Sequence, residues 1–336
     1  MLRHSSDSEP GYTRRRIGRY WAYFDDKGER VTDRATIDRL NAIGLPPAYT
    51  EAWFCKDSDG HLQATGIDAR GRKQYRYHAD FRASADAAKF AGLLEFGKAL
   101  PKIRRRVASD LQQRTLTKTA VLAAVIRLLD GDYLRIGNPE YAKSNKSFGA
   151  TTLLCRHVRE HGRRLKMRFA GKHGVVHEVT ITDRRLERIV RRCQELPGQS
   201  LFQYLANGDD PQVITSADVN DYIREASGGD FTAKHFRTWG ASVIAFEKLV
   251  EASEEQKKVS VATMIEPVAE ALGNTPAISR KAYVHPALVE TAKQRPRDPL
   301  PGFELPRARK WLSAAEVGLL QFLARQQRRR SPQRAA

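Results

Sequence analysis

The sequence predicts an α+β protein: a small antiparallel β domain at the N-terminus, then a larger, mainly α-helical domain that carries one β-hairpin sheet. Three observations predict it. Before residue 80, short aromatic or alternating runs are separated by turn signals. After residue 86, apolar residues recur at helical spacing. Between residues 165 and 181, strict alternation returns on both sides of a glycine-flanked turn. The boundaries this suggests are 1–82 for the β domain, 86–310 for the helical domain and 311–336 for a last helix and basic tail.

In chain order, Tyr20-Trp21-Ala22-Tyr23-Phe24 is an aromatic strand ending at the turn Asp25-Asp26-Lys27-Gly28. Thr36 to Gly44 is the one helical stretch of the first domain. Ala52-Trp53-Phe54-Cys55, the turn Asp57-Ser58-Asp59-Gly60 and His61 to Asp68 form a hairpin. Ala69-Arg70-Gly71-Arg72 turns the chain into a further strand, Lys73 to His78. Asp80 to Asp86 is small and polar, which suits a linker. Leu122, Val125, Ile126 and Leu129 then make one helical stripe, closed by Asp130-Gly131. Leu165, Met167 and Phe169 alternate with polar residues, as do Val175, His177, Val179 and Ile181, so Lys172 sits at the tip of a hairpin. Phe236, Trp239, Val243, Phe246 and Val250 form a second helical stripe. Val261, Met264, Ile265, Val268 and Leu272 form a third, stopped by Gly273. Ser313-Ala314-Ala315-Glu316 is a capping box that opens the last helix. The tail, Arg328-Arg329-Arg330-Ser331-Pro332, is expected to be disordered. No internal repeat is present.

Charge is the first functional signal. Lys and Arg number 58 against 39 Asp and Glu, a net +19 over 336 residues. Residues 1–80 hold 14 basic and 12 acidic side chains, leaving 44 against 27 for the remainder. A basic surface of that size favours a polyanion, since each neutralised phosphate releases counterions. No apolar run is long enough to span a membrane, and MLRHSSDSEPGYTRRR lacks the apolar core of a secretory signal. The expected setting is therefore the cytoplasm, on the nucleoid. Cys55, Cys155 and Cys193 are scattered and odd in number. They form neither a disulfide framework nor a metal-ligand cluster, and reduced structural thiols are expected.

His157-Val158-Arg159-Glu160-His161 fits H-x-x-E-H, an inverted zinc-protease motif. On a helix both histidines would share a face. But Arg156, Arg159, Arg163 and Arg164 flood the segment with positive charge and make a poor cation site, so a solvated basic face is the better reading. Gly97-Lys98 and Gly171-Lys172 lack the spacing of a Walker loop, and no G-x-S-x-G elbow exists. What remains is two arginines, a lysine and a tyrosine. Arg135 lies just past a helix end, Lys172 on the hairpin tip, Arg237 on a helix flank beside Phe236, and Tyr283 near the C-terminus. Singly, each has a dull explanation as a salt-bridged, turn or packing residue. Together they match one chemistry. Attack on a phosphodiester builds charge on two non-bridging oxygens, which fixed arginines can neutralise. A phenol of ordinary pKa near ~10 needs a cationic surround to become a nucleophile. A lysine on a tip can protonate the departing 5′-oxygen. Such a site requires no metal and no cofactor. A tyrosyl ester also keeps the energy of the broken bond, so resealing requires no ATP.

These residues also resemble a family. Leu272-Gly273-Asn274-Thr275-Pro276-Ala277-Ile278-Ser279-Arg280-Lys281-Ala282-Tyr283-Val284-His285-Pro286 resembles the active-site tyrosine segment of poxvirus-like and bacterial type IB DNA topoisomerases. Phe169-Ala170-Gly171-Lys172 resembles their lysine hairpin, Lys234-x-x-Arg237 their second arginine motif, and Leu134-Arg135-Ile136-Gly137-Asn138 the first. Gln74-Tyr75-Arg76-Tyr77 resembles their DNA-contacting strand, and Tyr141 a further DNA-contacting tyrosine. The resemblance covers roughly residues 12 to 300, with the motifs in the right order.

The resemblance implies a tyrosine recombinase/topoisomerase IB-like catalytic fold and a monomer whose two domains clamp double-stranded DNA. It implies that Arg135 and Arg237 hold the scissile phosphate, that Lys172 is general acid to the 5′-oxygen, and that Tyr283 forms a 3′-phosphotyrosine. Lys234 would support Arg237 or the proton transfer, and Gln74, Tyr75, Tyr77 and Tyr141 would touch DNA. One position departs: the poxvirus enzymes carry histidine nine residues before the tyrosine, where this chain has Asn274. An amide can donate a hydrogen bond to a phosphate oxygen but carries no charge. His285 follows the tyrosine and reads as structural. Two rivals remain. A tyrosine site-specific recombinase shares the chemistry, but would usually show His-x-x-Arg at 234–237 and a helical DNA-binding domain. A non-catalytic basic DNA-binding protein would explain the charge and not the motifs.

Overall fold

A computed structural model describes residues 2–69, 71–162, 164–206 and 210–330. Two compact units emerge, residues 1–89 and 90–336.

The first unit is a five-stranded antiparallel sheet. Its strands are β1 (Gly11–Ile17), β2 (Tyr20–Phe24), β3 (Thr50–Cys55), β4 (Leu62–Ile67) and β5 (Lys73–Tyr77), in the order β2-β1-β3-β4-β5. Helix α1 (Arg34–Ala42) covers one face. Its N-terminus is capped by Asp33, whose carboxylate accepts from the Thr36 N–H at 2.8 Å. Tyr23, Phe54, Ala52 and Ala64 of the sheet form the core beneath it with Leu40 and Leu45. Cross-strand partners share a face, and so do alternate residues along a strand. The pairs Ile17↔Tyr20, Thr13↔Trp53, Trp53↔Thr65 and Thr65↔Tyr75 therefore put Arg15, Ile17, Tyr20, Tyr75 and Tyr77 on the opposite face.

Strands β2 to β5 fall where the sequence places them; β1 does not appear in the sequence pattern. Arg14, Arg15 and Arg16 mask its alternation, and pairing with β2, across the two-residue turn Gly18-Arg19, and with β3 makes it a strand. The expected linker Asp80 to Asp86 is likewise corrected. It lies inside helix α2 (Ala79–Ala91), whose six alanines are the best helix-forming residues even though the segment looks small and polar.

The second unit is helical around a small sheet. It comprises α3 (Leu93–Asp110), α4 (Lys118–Gly131), α5 (Pro139–Asn145), β6 (Val158–His161), β7 (Arg164–Ala170), β8 (Val176–Ile181), α6 (Arg184–Gln194), β9 (Gln203–Ala206), β10 (Asp210–Val213), α7 (Ser216–Ser227), α8 (Ala233–Glu254), α9 (Val261–Leu272), α10 (Pro276–Ala282), α11 (Pro286–Gln294) and α12 (Ala314–Arg330). Helix α8 is central and packs against α3, α4, α7, α9, α11 and α12. Its Phe236, Trp239 and Phe246 are buried to 2% exposure or less.

The predicted hairpin is β7–β8, joined by β6 in a three-stranded antiparallel sheet. His157 ends a 3₁₀ turn while Glu160 and His161 lie on β6, so the H-x-x-E-H residues are not on a helix at all. The predicted capping box forms: Glu316 accepts from the Ser313 N–H at 2.8 Å, and the Ser313 hydroxyl accepts from the Glu316 N–H at 3.2 Å. Helix α12 continues through Arg328, Arg329 and Arg330, which the sequence assigned to a disordered tail. Ser331 and Pro332 lie outside the described residues. Cys55, Cys155 and Cys193 are free thiols. Among the described residues, no helix is long and apolar enough to cross a membrane.

Candidate active site

Four of the residues singled out by sequence converge in the second unit. Tyr283 arrives through a stop-and-restart of helices written into Gly273-Asn274-Thr275-Pro276. Gly273 ends α9 in the left-handed conformation, φ +59°, which favours glycine. Thr275 caps α10, its hydroxyl accepting from the Ile278 N–H at 3.3 Å, and Pro276 occupies the first turn where no N–H is needed. Tyr283 closes α10. The next residue, Val284, is fully buried, and the Ser242 hydroxyl of α8 accepts from the His285 N–H at 3.1 Å. The tyrosine backbone is thus pinned between a core valine and the central helix. His285 caps α11 and its ring meets Phe90 edge-on, a structural role.

Arg135 follows α4 by four residues. The segment is anchored by buried Leu134, and the Arg135 carbonyl accepts from the Ala150 N–H at 2.8 Å. One arm of its guanidinium donates to the Tyr283 phenol oxygen at 2.9 Å, and the other to the Asn274 side-chain oxygen at 2.9 Å. Arg237, on the first turns of α8, is 4% exposed. It donates to the backbone carbonyls of Tyr133 and of Leu272, the latter at 2.9 Å, and its guanidinium carbon lies 5.2 Å from the Tyr283 ring centre.

The electrostatics are those of an anion site. Among the described residues, neither Arg135 nor Arg237 forms an ion pair with a carboxylate. Burial, then the nearby Arg135 charge, pushes Arg237 down to about 10, so it stays charged at neutral pH at a cost. Burial raises the Tyr283 phenol, but the charges of Arg135 and Arg237 outweigh it and hold the phenol below its ordinary value. Among the described residues, Arg237 Nε and Asn274 Nδ2 are buried donors with no partner. Unsatisfied buried donors cost about 1–3 kcal/mol each, which an incoming anion would recover. Arg104 makes the contrast. It is equally basic and also largely buried, yet it holds Asp130 at 2.7 Å and Glu316 at 2.8 Å, and those carboxylates raise its pKa.

His177 is a neighbour that the sequence marked only as a strand residue. It stands on β8, stacked on Phe169 at 5.4 Å. Burial, then Arg237 and Arg135, keep its imidazole below the usual histidine range. Nothing in the sequence alone brings position 177 to positions 135 and 237. Lys172 occupies the exposed turn between β7 and β8 and forms no hydrogen bond or ion pair among the described residues. Lys234 is exposed on the first turn of α8. Tyr141 is half-buried on α5, where the Asn138 side chain caps the helix by accepting from the Tyr141 N–H. In the first unit, Tyr75 and Tyr77 are exposed and stacked at 6.2 Å, and Gln74 donates to Asp68 at 2.9 Å. No cluster of three or more His, Cys, Asp or Glu is placed to hold a metal ion among the described residues.

Comparison with known proteins decides the family. Residues 78–298 match the model of the eukaryotic DNA topoisomerase I catalytic core, and residues 20–68 match the bacterial DNA topoisomerase IB N-terminal domain. The chain belongs to the type IB DNA topoisomerases. It is similar to DNA topoisomerase 1B of Acanthamoeba polyphaga mimivirus, 30% identical over 285 residues that cover 82% of this chain and 84% of that protein. It is also similar to DNA topoisomerase 1B of vaccinia virus (strain Copenhagen), 22% identical over 276 residues covering 78% and 84%. As a type IB topoisomerase the chain is an isomerase that acts on DNA, with the α+β architecture of its family.

Proposed function

We propose that this topoisomerase relaxes supercoiled duplex DNA as a monomer, cutting one strand with Tyr283 and resealing it without ATP or metal. The carrying observation is a pair of arginines, Arg237 buried and Arg135 half-buried, with no carboxylate partner among the described residues, together with unpartnered donors on Arg237 and Asn274 and a phenol already bonded to Arg135. The Tyr283 phenol releases its proton to solvent, its oxygen attacks phosphorus, and the bond from phosphorus to the 5′-oxygen breaks. Arg135 and Arg237 take the charge on the non-bridging oxygens, and Asn274 Nδ2 adds a neutral hydrogen bond. Lys172 gives its proton to the 5′-oxygen, and its exposed turn suits a group that must reach into bound DNA. The freed strand rotates. The 5′-hydroxyl then attacks the 3′-phosphotyrosine and restores the original bond. One ester replaces another at each step, so no external energy is required. Lys234, Tyr141, Gln74, Tyr75 and Tyr77 contact the DNA, and the cellular setting is the nucleoid.

The test is relaxation of an arbitrary plasmid in chelator without ATP, with trapping of the protein–DNA adduct and mapping of the attached residue. Relaxation by a single subunit and attachment at position 283 are expected, and Tyr283→Phe should abolish both while binding duplex almost normally. A need for divalent ion, an adduct elsewhere, or activity only on paired sites by several subunits would overturn the reading, the last in favour of a recombinase.

A further inference from the structure

The lysine turn and the arginine pocket meet through one ring. In the β7–β8 register Phe169 pairs directly with His177, and the imidazole lies on the buried phenyl, tilted by only 19°. Two glycines leave room for it. A Cβ at Gly171, the residue before Lys172, would sit 2.6 Å from His177 Cδ2 and 2.7 Å from Nε2. A Cβ at Gly273, the residue before Asn274, would sit 3.0 Å from His177 Cε1 and 3.3 Å from Cγ1 of Val175. The ring therefore fills the gap between the base of the lysine turn and the end of α9. The turn is closed at its base, where the Gly171 N–H donates to the Val175 carbonyl at 2.7 Å. Beyond that base, His173 and Gly174 take left-handed conformations, φ +65° and +78°. Lys172 thus stands on a short turn whose base, Gly171, lies against the His177 ring, with Val175 beside that ring facing Gly273.

We propose that His177 is a positioning residue for Lys172: its imidazole, fixed on Phe169 and wedged between Gly171 and Gly273, sets where the lysine turn stands relative to the Asn274 end of the arginine pocket. The inference rests on the reading of Lys172 as proton donor. His177 transfers no proton; it acts through Lys172, whose N–H bond breaks as the O–H bond to the departing 5′-oxygen forms. The ring's shape matters more than its nitrogens, since a cationic ring beside Arg135 and Arg237 would be repelled.

Single-turnover cleavage by the full chain tests this on two duplexes, one with an ordinary phosphodiester and one with a 5′-bridging phosphorothiolate, whose thiolate leaves without an acid. Lys172→Ala should be slow on the first and near normal on the second. His177→Ala should be slowed about 10- to 100-fold on the phosphodiester, as misplacement of a reacting group by about 1 Å does, and no more than about 3-fold on the phosphorothiolate. His177→Phe, which keeps the stack and the wedge, should stay close to the parent on both. The double variant should be no slower than Lys172→Ala alone, because the two act as one unit.

Equal slowing by His177→Ala on both substrates, additive loss in the double variant, or no slowing at all would overturn the proposal while leaving the lysine reading intact. Failure of the phosphorothiolate to rescue Lys172→Ala would instead remove the lysine from the acid role, and the positioning role with it. If His177→Ala does not fold, Gly171→Ala, whose methyl would push the ring, takes its place: it should be slow on the phosphodiester and near normal on the phosphorothiolate, with His177→Phe as the unperturbed control, and equal slowing on both substrates or none would overturn the proposal.

Discussion

At the scale of single residues, what separates Arg135 and Arg237 from Arg104 is company. Arg104 has two carboxylates and a backbone carbonyl; Arg135 has a phenol and an amide; Arg237 has two carbonyls and an idle Nε. The first is a finished interaction and the others are unfinished until an anion arrives. Their unspent charge acts on Tyr283, which burial alone would make a poorer acid. The phenol should therefore titrate below the ordinary tyrosine value near ~10, seen as the difference in ultraviolet absorbance between the parent protein and Tyr283→Phe across pH. Arg135→Ala removes both a charge and a 2.9 Å hydrogen bond, and should move the transition upward. A Tyr283 transition at or above the ordinary value in the parent, or one indifferent to Arg135→Ala, would mean that the arginines do not activate the phenol.

At the scale of elements, the junction after α4 carries the site and a cost. Asp132 caps the C-terminus of α4, next to Tyr133, whose carbonyl anchors Arg237. Burial raises the Asp132 carboxyl to about 6, only partly offset by Arg127. A carboxyl whose folded pKa lies above its unfolded value binds its proton better in the folded state. Its effect is favourable at low pH and turns into a penalty as pH rises from about 4 through about 6. Asp132→Asn should thus raise thermal stability at pH 7.5 by on the order of 1–2 kcal/mol, allowing for its partial exposure, and give no gain at pH 4. A gain of equal size at both pH values would assign the effect to packing instead.

The candidate site also shows what sequence can and cannot convey. Leu272 to Pro286 announces its helix stop, cap and proline start in order, and the motif residues Arg135, Arg237, Asn274 and Tyr283 do meet, because short-range rules fix that backbone. The ring of His177 lies 97 positions from Asn274 and enters through a strand pair, which no local pattern encodes. Strand β1 and helix α2 were obscured for opposite reasons: a run of arginines hid an alternation that depends on its partner strand, and alanines looked like linker. Trp239 donating to Glu316 at 2.9 Å, with Arg104 on the same carboxylate, ties α8 to α3, α4 and α12. Only the capping role of Glu316 was visible beforehand.

At the scale of the molecule, charge and shape divide the work unevenly. Residues 1–80 are nearly neutral in sum, 14 basic against 12 acidic, but the β1–β2 hairpin from Gly11 to Phe24 carries Arg14, Arg15, Arg16 and Arg19 with no acid. Arg14 is committed to structure, donating to the carbonyls of Leu45 and Pro46. Arg15, Arg16 and Arg19 are exposed, as are Ile17 and Tyr20, the latter to 79%. Arg15, Ile17 and Tyr20 share the sheet face of Tyr75 and Tyr77, at the opposite edge. If this face meets DNA at both edges, each arginine that neutralises a phosphate adds about 0.9 to the slope of log affinity against log salt. Replacing Arg15, Arg16 and Arg19 together by alanine, in a Tyr283→Phe background that isolates binding from cleavage, should therefore weaken duplex binding and flatten that slope by up to about 2.7. Tyr20→Ala should weaken binding with the slope unchanged, since stacking releases no counterions. A slope identical to the parent in the triple variant would confine the electrostatic contact to the remaining basic residues and leave the β1–β2 hairpin with a purely structural part.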